Sequence, residues 1–206
     1  MLARLLCLLS LVALVAACTP PRGGGGSGGG DDDDAVSNDD DSEDLYGPEN
    51  SWWHANASDV PGDLAGTGFR AGDIATNFTI TDQYGDEVEL YQFYGKIIVL
   101  DVFAQWCGPC QANAPHGEEL WEAGDGDVIM LAAMQENTGA SPPSTSDVVT
   151  WGETFDLTHP IVADADQDNL PYIVTGFPTY VVIDRTMEIV NDDLWPFDQD
   201  YVLNLL

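Results

Sequence analysis

From Phe69 onward the apolar positions fall into short runs separated by polar, turn-forming stretches. The strongest run covers residues 97–103, where Ile97, Ile98, Val99, Leu100, Val102 and Phe103 are interrupted only by Asp101. A nearly unbroken apolar run of this length predicts a strand buried on both faces, and so the centre of a sheet. Residues 128–134 predict a second buried strand, and 161–163, 179–183 and 188–190 predict shorter ones. Upstream, 78–81 and 88–93 flank the turn-forming Gln83, Tyr84, Gly85 and Asp86, which predicts a hairpin. Helices are expected just after Cys107 to about Ala123 with Pro115 as an internal kink, over 144–155 with Ser144 or Thr145 as cap, and over 198–205. Strands alternating with helices predict an α/β domain around a mixed sheet.

The first 68 residues follow other rules. Residues 1–17 carry Arg4 and an apolar run from Leu5 to Ala17 broken only by Ser10, too short to cross a bilayer and typical of a secretory signal. Their Val15-Ala16-Ala17-Cys18 ending resembles the lipobox of bacterial lipoproteins, which implies lipidation at Cys18; an ordinary secretory signal is the alternative. Between residues 18 and 68 the chain is rich in Gly and Asp and poor in apolar residues, so a disordered tether is expected. As a flexible coil it would reach roughly 40 Å. Trp52, Trp53 and His54 interrupt it and read as surface-packed or docking residues. The domain boundaries read as 1–17, 18–68 and 69–206.

Net charge is −31, from 36 acidic and 5 basic residues. Such a chain lacks the clustered Lys and Arg that nucleic acid binding needs. Residues 69–206 alone hold 24 acidic side chains against Arg70, Lys96 and Arg185, a net charge near −21. A salt-rich habitat and a cationic partner both fit.

Cys7 falls in the signal and Cys18 at the lipid site, leaving one pair, Cys107 and Cys110. A bridge closing so small a loop restrains the unfolded chain little, so the pair reads as chemistry rather than scaffold. Zinc would need further ligands from His54, His116 or His159, none suitably spaced, so no metal and no separate cofactor is expected beside a redox-active Cys107–Cys110 disulfide. The pair follows the strongest strand and opens a helix. Unpaired amides and the positive dipole end there stabilise a thiolate at Cys107, making it the nucleophile. Cys110, one turn away, is placed to resolve a mixed disulfide. Asp164, Asp166 and Asp168 imitate a calcium loop, but Asn169 and Thr175 stand where Gly and Glu are needed, so a solvated turn is expected. His116 reads as an exposed helix residue, and Gln135 and Glu136 read equally as a polar strand end or as the border of the site.

Trp106-Cys107-Gly108-Pro109-Cys110 repeats the active-site sequence of thioredoxin. Asp101, Pro115 and Phe177-Pro178-Thr179 resemble its buried acid, kinked helix and cis-proline loop. The resemblance implies a thioredoxin-like fold with an N-terminal β-hairpin extension. It also implies that Asp101 assists proton transfer and that Trp106, Gly108, Pro109, Phe177 and Pro178 contact substrate. Residues 69–206, with Tyr172 to Thr179, resemble the membrane-anchored TlpA and ResA reductases of the AhpC/TSA-Redoxin group. Asn113 stands where the branch's cytochrome c-maturing members often carry Glu, and Ala75-Thr76 where the family frequently has Ala-Pro.

The implied activity is exported thiol–disulfide exchange in the reducing direction, by a monomer facing the periplasm or cell exterior. Disulfides of extracytoplasmic proteins would be its substrates and a membrane thiol transporter its electron donor. The alternatives are a thiol-dependent peroxidase, marked by peroxide consumption without a disulfide substrate, and a noncatalytic peptide-binding module, marked by full function in Cys107→Ser.

Overall fold

The computed structural model describes residues 44–170 and 176–206. The expected signal, Cys18, the first part of the tether and Tyr172 to Thr175 lie outside the described residues. Seven strands form one mixed sheet: β1 Thr79–Asp82, β2 Glu87–Glu89, β3 Ile97–Ala104, β4 Val128–Glu136, β5 Ile161–Ala163, β6 Thr179–Ile183 and β7 Ile189–Asn191. Their order is β2-β1-β5-β4-β3-β6-β7, with β3, β4 and β5 parallel and the other pairings antiparallel. Every residue of β3 is buried, as its unbroken apolar run requires.

Side-chain alternation along β3 sorts the two layers. Ile97, Val99 and Phe103 point to the face covered by α1 Gly108–Ala123, α2 Thr145–Phe155 and α3 Gln199–Leu203. Leu120 of α1, Trp151 of α2 and Val202 of α3 pack there. Small residues let α1 approach the sheet: a Cβ on Gly117 would lie 3.0 Å from the Met130 side chain. Ser144 caps α2 and shares a capping box with Asp147.

Ile98, Leu100 and Val102 point to the opposite face, whose apolar cluster is reached from the described α-helices only by Trp121 of α1. That face is covered by a 3₁₀ turn, Leu90–Phe93, by Leu170 and Met187, and by chain that precedes the sheet. Two expectations are corrected here. Residues 88–93 do not form one strand, because Asn77 accepts the Tyr91 N–H and Gln92 bonds back to the Glu89 N–H, which winds the chain after three residues.

The tether does not extend to Gly68 either. Tyr46, Trp52 and Leu64 pack against the apolar core on that opposite face, and this strap, residues 44–57, is hydrogen-bonded to the hairpin and the turn after it. The Ala55 N–H donates to the Gln92 carbonyl at 2.7 Å, Asn50 donates to Gln92 Oε1 at 2.9 Å, and Trp52 Nε1 donates to Asp82 Oδ2 at 2.7 Å. Asp82 is fully buried and also accepts the Tyr84 and Asp86 N–H groups, so the tryptophan completes its hydrogen bonding. The strap shows no period because its anchors are single side chains set among Pro, Gly and Asp. Trp52→Phe keeps an aromatic ring, though a smaller one, and removes the indole donor to the buried Asp82 side chain; chemical denaturation should register a loss of about 1–3 kcal/mol.

Candidate active site

The chain leaves β3 through a register shift between Phe103 and Ala104, and the Cys107 N–H then closes a turn on the Ala104 carbonyl at 3.1 Å. This turn sets Cys107 as the N-cap of α1 in extended conformation, with Gly108 and Pro109 opening the helix. Pro109 is tolerated because the first turn leaves its amides free. Cys107 Sγ accepts the Cys110 N–H at 3.1 Å, so a first-turn amide already points at this sulfur. The two sulfurs are joined as a disulfide, with Cα atoms 5.2 Å apart and each residue 3% exposed. Pro115 lies inside α1 without ending it.

Opposite the helix N-terminus the Phe177–Pro178 peptide bond is cis, and Thr179 Oγ1 ties the loop to the Gly176 carbonyl at 2.6 Å. Phe177 meets Trp106 edge to face at 5.8 Å. Trp106 is 48% exposed, and its indole N–H donates to Glu136 Oε2 at 2.8 Å, which places Glu136 on the border of the site. Trp106, Gly108, Pro109, Phe177 and Pro178 therefore gather around one disulfide.

Asp101 sits on β3 between Ala132 of β4 and Tyr180 of β6, on the face that carries α1. Its carboxyl is buried and Oδ1 has no hydrogen-bond partner. Desolvation pushes its pKa up to about 8, so the acid stays protonated near neutrality. Burial and then the Asp101 charge raise the Tyr180 phenol, which remains neutral.

Other singled-out residues do not join the site. His116 is exposed and bonds to Glu119 at 3.0 Å. His159 is buried, and burial lowers its pKa. Asp164 is not on a solvated turn: it is fully buried, and its carboxylate accepts the Leu170 N–H at 3.2 Å. Among the described residues no group of three or more His, Cys, Asp or Glu is arranged to hold a metal. Sequence reasoning missed a second cis bond, Trp195–Pro196, beside the site. The one available signal was an aromatic-proline pair just before the last helix.

Comparison with known proteins identifies the family and the fold. The pattern of the AhpC/TSA family matches residues 71–191. The chain is 31% identical to thioredoxin-like protein YneN of Bacillus subtilis over 118 residues, covering 57% of this chain and 68% of that protein. It is 34% identical to the thiol-disulfide oxidoreductase ResA of Geobacillus kaustophilus over 124 residues, covering 60% and 68%. Among solved structures, the thioredoxin domain of a Bacteroides vulgatus thiol-disulfide oxidoreductase superposes with a TM-score of 0.56 at 22% identity, covering 66% of this chain and 96% of that one, which bears on the fold alone. This chain belongs to the AhpC/TSA family and is a thioredoxin-like thiol–disulfide oxidoreductase of the ResA type.

Proposed function

We propose that the enzyme is a reductase of disulfides in proteins outside the cytoplasm, held to a membrane by a lipid on Cys18 and a tether that ends before the strap. One observation carries the reading. Cys107 caps α1 with its sulfur already accepting a first-turn amide, the arrangement that favours a thiolate at that position.

In this reading the Cys107 thiolate attacks a substrate disulfide, forming a mixed disulfide and expelling one substrate thiolate. The ionised fraction of Asp101, small at neutrality and growing toward about pH 8, takes the proton from Cys110. The Cys110 thiolate then attacks Cys107 Sγ, which restores the Cys107–Cys110 bond and expels the second substrate thiolate. Two electrons pass from the thiolate–thiol pair to the substrate; one expelled thiolate receives the Cys110 proton by way of Asp101, and the other is protonated by solvent, to which Cys107 had released its own proton. Phe177 and Pro178 offer backbone to an extended substrate strand beside the sulfurs, and Trp106, Gly108 and Pro109 complete its bed. No other cofactor takes part. A membrane thiol transporter returns the electrons, because export removes the domain from cytoplasmic reductants.

The Gly-Pro between the cysteines favours the reducing direction. Equilibration with glutathione should give a potential toward about −270 mV; a value near −120 mV, that of a strong oxidant, overturns the direction. Peroxide consumption without any disulfide substrate would instead support a peroxidase.

A further inference from the structure

A cavity of about 280 Å³ opens beside the disulfide, lined by Pro109, Gly176, Phe177, Pro178, Asp193 and Trp195. Whole small-molecule sites occupy roughly 300–1,000 Å³, so this one suits a single side chain. Asp193 and Trp195 come from the loop between β7 and α3 and have no part in sulfur exchange.

Both residues are set up to meet a partner. Trp195 is 50% exposed, yet its ring lies parallel to Tyr180 at 6.5 Å. The preceding Leu194 is buried and donates its N–H to the Tyr180 carbonyl at 2.9 Å. The indole is thus held in place with half its surface open. Asp193 is exposed, and its carboxylate makes no ion pair or hydrogen bond among the described residues.

Among the described residues the three Lys and Arg side chains leave the Asp193 carboxylate without an ion pair. Lys96 precedes β3 and Arg185 follows β6, which puts both at the opposite end of the sheet, where Gly95 bonds to the Arg185 carbonyl. Arg70 lies 3.6 Å from Asp192. On the near side Glu136 adds a second carboxylate next to Trp106.

We propose that Asp193 and Trp195 form a subsite that selects substrate segments carrying Lys or Arg close to the target disulfide. The cation lies over the indole face and the carboxylate neutralises it, a pairing for which Trp is the best aromatic partner. This rests on the reading of Phe177 and Pro178 as the bed for an extended substrate.

The test uses two isomeric disulfide-bridged peptides of identical composition, one with Lys two residues from the reactive cysteine and one with that Lys at the far end. The acidity of the protein as a whole attracts both alike, so their ratio reports the subsite. The near isomer should be reduced about tenfold faster in kcat/KM by the full chain, and Asp193→Asn or Trp195→Leu should shrink the ratio to within about threefold. Asp193→Lys should invert the preference when Glu replaces Lys in the peptide pair. Equal rates for the isomers, or an undiminished ratio in Asp193→Asn, overturn the subsite alone. Failure to reduce either peptide or the neutral hydroxyethyl disulfide overturns the reductase reading with it.

Discussion

Cys110→Ser will leave the enzyme joined to its natural substrate through Cys107, whereas Cys107→Ser will abolish exchange. The asymmetry follows from position. Cys107 caps α1 and accepts the Cys110 N–H, while Cys110 begins the buried stripe that continues through Ala114, Gly117 and Leu120. A hydroxyl at 107 cannot ionise near neutrality, so turnover should fall on the order of a thousandfold or more. A hydroxyl at 110 still permits the first attack but offers no thiolate to finish it. Non-reducing electrophoresis of cells carrying Cys110→Ser should reveal a thiol-sensitive adduct that mass spectrometry can identify. An adduct in Cys107→Ser and none in Cys110→Ser would reverse the roles of the two sulfurs.

Asp101→Asn should change both stability and rate, with opposite signs. The folded chain keeps a proton on Asp101 up to about pH 8, while the unfolded chain releases it near its ordinary value of 3.8. Between those limits the native state binds more protons than the unfolded state, so stability falls as pH rises, by about 1.4 kcal/mol per unit from this group. Asparagine does not titrate. Between pH 5 and 7.5 the stability of Asp101→Asn relative to the wild type should therefore improve by about 3 kcal/mol, whatever constant cost its amide carries. Denaturation at a series of pH values measures the difference in slope. The attack by Cys110 should slow about a hundredfold, as loss of a proton acceptor commonly does. Parallel pH profiles for the two proteins would show that Asp101 is not the buried proton store.

Most of the site was legible because the same residues write both the element and its chemistry. The run from Ile97 to Phe103 specifies a central strand, and the Trp-Cys-Gly-Pro-Cys segment that follows can only begin a helix where Pro109 is allowed. Asp101 stood out as the one charge in that run, and its cost is visible in the unpartnered Oδ1. Phe177 and Pro178 were legible through resemblance rather than through any period. Trp195 was not, since its place beside the disulfide arises from the stacking on Tyr180, a contact between distant parts of the chain.

The strap was missed for a related reason. Its composition is that of a solvated segment, and its order comes from partners such as Asp82 and Gln92 that lie thirty or more residues away. Periodicity detects elements that bury a continuous stripe. It passes over a strand of chain fixed by a few side chains in sockets.

That strap also separates two kinds of boundary. Family likeness begins at residue 71, but the sheet side bearing Ile98, Leu100 and Val102 is roofed by residues that come before it. A recombinant fragment cut to the homologous region would expose an oily flank and invite self-association, so a working fragment of this enzyme has to keep the chain from Tyr46, whose ring packs on that flank and whose hydroxyl bonds to Glu89.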